Sequence, residues 1–245
     1  WAPERILLLP LYPQFSTTTT GSSLADWHEA AAKSGLVVPT TTVCCWYDDP
    51  AFAAAIAMLV MGTLARARAE LPAGTPIRLL FSAHGLPESI VKAGDPYQEE
   101  VEACTAAVMA VITRTLGEMV DHQVCFQSRA TPQQWIEPST EQAIEQAAHD
   151  GTAVVVIPIA FVSEHIETLV ELDVEYREVA EKLHLPGYYR SPAPNDDPAF
   201  IAALAGIARR AIAHGDGLCS AGGARSCGVA NRDCPWAKYR ALVTA

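Results

Sequence analysis

Four apolar runs in this chain share one form: a strand-like stretch that ends in a polar turn and leads into a helix-like stretch. They are Arg5–Pro13 (RILLLPLYP), Ile77–Gly85 (IRLLFSAHG), His122–Arg129 (HQVCFQSR) and Thr152–Phe161 (TAVVVIPIAF). Leu36–Tyr47 is a fifth, interrupted by Pro39. Helical candidates lie between them: Ser23–Ser34, Pro50–Glu70, Tyr97–Met119, Ser139–Asp150, Ser163–Leu183 and Pro198–His214. Strands apolar on both faces that alternate with helices predict parallel sheets covered on both sides, so the fold class is α/β. In such sheets ligands sit beyond the carboxyl ends of the strands. The polar clusters of this sequence fall there. The segment after about Gly215 is poor in apolar residues and rich in Gly, Ala, Cys and Arg, and reads as an appended element outside the sheets.

Composition narrows the function classes. Half of the 245 residues are hydrophobic and 18% are charged, enough to bury a large core and too apolar for a disordered chain. A net charge of -11 argues against sequence-independent binding to nucleic acid, which needs clustered Lys and Arg. The longest uncharged stretch, Pro50–Ala65, is shorter than the roughly 18 to 20 residues that span a bilayer and reads as a core helix. Trp1–Pro10 lacks the basic start and cleavage site of a signal peptide. The chain opens almost directly on a strand pattern without an initiator Met, so an upstream part is expected to be missing, and a cytoplasmic setting is expected.

Four clusters could carry chemistry. His84 follows a buried strand and precedes Gly85, a place where a histidine is often only a turn residue. Ser163-Glu164-His165-Ile166-Glu167 opens a helix after the most apolar strand, and Glu167, Glu171 and Glu175 recur at four-residue spacing. A solvated acidic face is one reading. A carboxylate row that passes cations or protons from a strand-end histidine is the other, since carboxylate and imidazole suit a divalent first-row metal. The loop Tyr12-Pro-Gln14-Phe-Ser16-Thr17 to Gly21 is rich in hydroxyls, and it could face an anion or form a capped turn. Cys219, Cys227 and Cys234 fall in the apolar-poor tail, with seven and six residues between them, which fits a metal or iron–sulfur site better than core packing. Zinc is the rival occupant. Cys44 or Cys45 could supply a fourth ligand, whereas Cys104 and Cys125 read as ordinary buried cysteines.

Together these motifs resemble the ferrochelatase family. The resemblance rests on PLYPQFSTTTTGSS (Pro10–Ser23), FSAHGLPESIVKAGDPYQEEV (Phe81–Val101), FQSRATPQQWIEPST (Phe126–Thr140) and FVSEHIETLVELDVEY (Phe161–Tyr176), which occur in the family's order. It implies two Rossmann-like, chelatase-type domains with parallel sheets flanked by helices, the first incomplete. Residues 1–70 would be the end of the first domain and 71–197 the second. Residues 198–245 would be a helix returning to the first domain plus a Cys-rich tail.

The implied activity is insertion of ferrous iron into protoporphyrin IX with release of two protons, a lyase reaction. Coproporphyrin, a cobalt or nickel tetrapyrrole, or a non-catalytic tetrapyrrole or cluster sensor are the alternatives. His84 matches the family's active-site histidine and Glu167 its partner acid, with His84 taken as the proton acceptor and Glu167 as the metal-side acid. Glu164, His165, Glu171 and Glu175 match an acidic path, and Tyr12, Gln14, Ser16 and Thr17 a porphyrin-side loop. Some members hold a [2Fe-2S] cluster through C-terminal cysteines, which points to Cys219, Cys227 and Cys234 here. Where animal members place the fourth ligand this chain has Thr17, so Cys44 or Cys45 is expected in its stead. The expected partners are porphyrin and ferrous iron, with peripheral membrane contact, in a monomer or a homodimer and without nucleic acid.

Overall fold

A computed structural model describes residues 2–128 and 132–223. Two parallel sheets carry the fold. The first contains β1 (Ile6–Leu8), β2 (Thr40–Val43) and β7 (Gly217–Cys219) in the order β1-β2-β7. The second contains β3 (Ile77–His84), β4 (Asp121–Gln127), β5 (Ala153–Pro158) and β6 (Tyr188–Arg190) in the order β4-β3-β5-β6. From β3 the chain passes to β4 on one side, and from β5 to β6 on the other. The carboxyl ends of β3 and β5 therefore flank a switch point, where an open α/β sheet leaves a crevice.

The helices are α1 (Ser22–Lys33), α2 (Pro50–Glu70), α3 (Glu88–Ala93), α4 (Tyr97–Leu116), α5 (Thr140–His149), α6 (Tyr176–Lys182) and α7 (Pro198–His214). Local chemistry sets several of their starts. Pro50 and Pro198 stand in the first turns of α2 and α7, and the carboxylates of Asp49 and Asp197 each accept two backbone N–H groups there. Ser139 and Gln142 form a capping box on α5.

Helix α2 is long and apolar enough to cross a membrane, but half of its most apolar window is buried, and it packs on α4 and α7. It is a core helix. Its residues Phe52, Ile56 and Val60 join Trp46 and Phe200 on the first-sheet side and Phe81 and Ile157 on the second, so both sheets share one core. A smaller cluster of Leu80, Val154, Val156 and Leu172 lies under α5 and α6 on the opposite face of the second sheet. The two faces are thus covered, as the apolar strands require.

Three elements were not expected. α3 and β6 are too short to carry a periodicity. β7 corrects the reading of the tail after Gly215: Leu218 and Cys219 are buried, and Cys44 N–H donates to Cys219 O at 2.9 Å. A three-residue strand that borrows its pairing from a distant partner leaves almost no local pattern. The helix expected over Ser163–Leu183 is also divided. Glu167–Glu175 winds as a π-helix with i→i+5 bonds before α6 begins, and a shorter π-helical segment, Thr17–Gly21, precedes α1.

Candidate active site

His84 is the last residue of β3, and Glu167 opens the π-helix that follows β5. The switch point brings them together: His84 Nε2 lies 3.6 Å from Glu167 Oε2, both side chains partly exposed. His84 Nδ1 is 2.7 Å from Gly85 O. A carbonyl can only accept, so Nδ1 carries a proton, and Nε2 is the ring nitrogen that faces Glu167. Gly85 is required here, because a Cβ would stand 2.8 Å from Gln127 O and 3.1 Å from the Trp135 ring. Its N–H donates to the same Gln127 O at 2.7 Å.

Two cavities meet at this pair. The larger, a cleft of about 760 Å³, has walls that include Leu11, Ile90, Trp135 and Phe161. The smaller, about 470 Å³, is lined by Ser128, Glu141, Glu171, Glu175 and Tyr176 among others. Among the described residues, His84 and Glu167 are the two that line both.

The acidic row divides on inspection. Glu167, Glu171 and Glu175 share the smaller cavity. Glu171 accepts from Ser128 Oγ at 2.7 and 2.9 Å and from Gln127 Nε2 at 3.2 Å. Ser128 holds a left-handed φ of 63°, a conformation uncommon outside glycine that marks a constrained position.

Glu164 stands apart from the row and does not line the smaller cavity. Its carboxylate accepts from Arg190 Nη1 at 2.7 Å and from the Ala193 N–H at 2.9 Å. Burial pushes its pKa up, but the hydrogen bonds from Arg190, Thr168 and Ala193 outweigh that and hold it below the usual carboxylate range. Arg190 Nε also donates to Asp173 at 2.6 Å. His165 lines the cleft with its ring 4.8 Å from that of Phe161, and its Nδ1 accepts the Glu167 N–H at 3.2 Å. That nitrogen is spent on orienting the start of the π-helix, not on a metal.

On the opposite wall Tyr12, Gln14 and Ser16 line the cleft, joined by Thr18 and Thr19. Thr17, expected with them, is turned away. Its N–H and Oγ1 both donate to Asp95 Oδ2 at 2.7 Å.

The sequence groups Cys219, Cys227 and Cys234, with Cys44 or Cys45, as a cluster site. Cys219 is instead a strand residue with no exposure, its Sγ 3.5 Å from Thr42 O, and burial, then the nearby Cys45, pushes its thiol up to about 11. Cys44 and Cys45 are buried with their sulfurs 3.5 Å apart. Cys227 and Cys234 lie outside the described residues. Among the described residues no group of three or more His, Cys, Asp or Glu is placed to hold a metal ion. The described thiols do not by themselves fit a [2Fe-2S] ligand set.

Asp95, Tyr97, Trp135 and Arg190 were not singled out from the sequence. Asp95 stands before a proline in a Gly-Asp-Pro turn, which signals a turn and nothing about its reach. Arg190 belongs to a strand that leaves no pattern.

Known proteins resemble this chain in sequence and in fold. The family model described as Ferrochelatase matches residues 1–212. A ferrochelatase of Phenylobacterium zucineum is 47% identical over 214 residues, 86% of this chain and 59% of that protein. One of Caulobacter vibrioides is 45% identical over 235 residues, 96% and 65% respectively, and one of Hyphomonas neptunium 42% over 242 residues, 98% and 64%. The chain thus spans about three fifths of the length of these relatives. The structure titled SirB from Bacillus subtilis with Fe3+ superposes with a TM-score of 0.58 at 12% identity, covering 86% of this chain and 73% of that one, a likeness of fold alone.

Proposed function

The chain belongs to the ferrochelatase family, and from that premise we propose that it carries the reacting groups of an enzyme that inserts ferrous iron into protoporphyrin IX. One observation carries the reading: the large cleft and the acid-lined cavity meet at His84 and Glu167. A flat, largely apolar macrocycle suits the cleft, and a hydrated divalent cation suits the carboxylates.

Insertion replaces two pyrrole N–H bonds by bonds to iron. A neutral porphyrin and Fe2+ give a neutral product and two protons, so the site must accept protons where the metal arrives. The lone pair of His84 Nε2 is available for that transfer, and a histidine operates near neutral pH. Glu167 faces it from the metal side, with Glu171 and Glu175 behind. Glu167 as the one carboxylate at the point of transfer would leave most of the coordination sphere of the iron to water and then to the ring nitrogens, which suits a metal in transit. The reading routes no step through a [2Fe-2S] cluster. It places the reaction in the cytoplasm, with the exposed Leu11 and Tyr12 at the lip of the cleft serving for apolar contact with a membrane.

The test is insertion of ferrous iron, with zinc as a surrogate, into protoporphyrin IX by the natural protein, followed by absorbance. Turnover that His84→Ala abolishes is the expected result. Turnover untouched by His84→Ala would overturn the assignment, and preference for coproporphyrin would replace the substrate.

A further inference from the structure

Asp95 lies eleven residues beyond His84, in the connection between α3 and α4, and is 4% exposed. Its Oδ2 accepts from Ser16 Oγ at 3.0 Å, from Thr17 N–H at 2.7 Å and from Thr17 Oγ1 at 2.7 Å. Its Oδ1 accepts the Tyr97 N–H at 3.0 Å. Glu100, one turn along α4 and 2% exposed, accepts the Phe15 N–H at 2.7 Å. Three consecutive residues of the loop after β1 are thus held by two acids that follow β3.

Burying the Asp95 carboxylate costs several kcal/mol unless its oxygens are satisfied, and here each accepts a backbone N–H, a charge-assisted bond of the strong kind. Solvated loop donors need no such partner. The clamp also joins functional surfaces. Ser16, Thr18 and Thr19 line one wall of the cleft, and Tyr97, on the other wall, has its hydroxyl against the His84 backbone.

We propose that Asp95, seconded by Glu100, is a positioning residue that fixes the Phe15–Thr18 wall of the cleft against the His84 wall and so sets the gap into which the macrocycle fits. The role rests on the porphyrin reading of the same cleft. It differs from that of a metal ligand, because every described contact of Asp95 is a donor on the loop or on α4. It also makes Thr17, which faces away from the cleft, matter to a ligand it does not touch.

The experiment measures protoporphyrin IX affinity and the separate KM values for porphyrin and ferrous iron in the natural protein, in Asp95→Asn, Asp95→Ala and Thr17→Val, and in the Asp95→Ala/Thr17→Val double variant. Loss of charge-assisted hydrogen bonds predicts a porphyrin affinity about tenfold weaker in Asp95→Asn and about a hundredfold weaker in Asp95→Ala. Loss of one hydroxyl predicts about threefold to tenfold in Thr17→Val. The KM for iron stays unchanged. The double variant is no worse than Asp95→Ala, since the hydroxyl acts through the carboxylate.

Independent, multiplying losses would overturn the proposal. So would a rise confined to the iron KM, or wild-type porphyrin affinity in a variant whose Tm has fallen. Where Asp95→Ala does not fold, Asp95→Asn and Thr17→Val decide through the same measurements. If the natural protein takes no porphyrin, the functional reading fails by itself, and the clamp is read from amide hydrogen exchange. A Thr17 amide as protected in Asp95→Asn as in the natural protein would then overturn it.

Discussion

The two walls of the cleft rise from equivalent places, the loops beyond the carboxyl ends of β1 and of β3 and β5, yet they differ in kind. The wall after β1 offers a phenol, an amide and hydroxyls: Tyr12, Gln14, Ser16, Thr18 and Thr19. The opposite wall offers His84, His165 and Glu167, two imidazoles and a carboxylate. The first wall is held by acids reaching from the second. The second is held by its own carbonyls and by Arg190. Architecture makes both loops available, and under the proposed function their chemistry suits one to orientation and the other to reaction.

The sharpest break of that comparison is His84→Ala, which removes the proposed base and leaves both walls standing. Insertion falls by about 10²- to 10⁴-fold, the usual worth of a positioned general base. Porphyrin binding, read by fluorescence quenching, stays within the range of the natural protein. An equal loss in binding would show that the walls are not separable.

Arg190→Met tests how the reacting wall is kept in order. It strips the cation from Glu164 and Asp173 beside the metal row, so the KM for iron rises by about tenfold as the π-helix start loosens, roughly the worth of one charged hydrogen bond. Arg190→Met/Glu164→Gln/Asp173→Asn removes the charges together and recovers part of the loss. The pH dependence has a defined sign. The lowered pKa of Glu164 contributes stability that is present above about 4.5 and is lost as pH falls through the lowered value. Glu164→Gln therefore flattens the acid limb of the Tm profile.

Glu100 behaves oppositely. Burial first, then the nearby Cys45, raises its pKa well above 4.5, against the bond from Phe15 N–H. Its stabilising contribution is full below 4.5 and is lost as pH rises toward the raised value. Glu100→Gln keeps an acceptor for Phe15 without a charge to bury, so the variant has a higher Tm than the natural protein at pH 8 and little advantage at pH 4. An advantage that does not grow with pH would break the assignment. The smallest effect is expected at Asp197, which lines neither cavity. Asp197→Ala costs about 1 kcal/mol of stability through the lost cap of α7 and leaves insertion kinetics unchanged.

Much of this fold is legible in the chain itself. Helices α2 and α7 begin and end where Asp-Pro starts and the ends of the apolar pattern place them, because caps act within a few residues. The buried parallel strands β3 and β5 follow from runs apolar on both faces, and β4 from the shorter apolar run Val124–Phe126. His84 and Glu167 are legible as strand-end residues within recognisable motifs. β6 and β7 are not, since three residues set no period and their pairing partners lie far along the chain. Cys219 shows the cost of that. Read without β7 it belongs to a polar tail, and with it the residue is core.

The sequence by itself determined the class, the order of the longer strands and helices and the place of His84 at a strand end, because periodicity, capping and turn chemistry are local. Only the tertiary structure decided which acids are free and which are taken. Arg190 claims Glu164 and Asp173, the loop after β1 claims Asp95 and Glu100, and Glu167 is left facing His84. These assignments depend on distances between segments that are remote along the chain. An electrostatic partner is defined by a few ångströms of space, and residue spacing does not encode it.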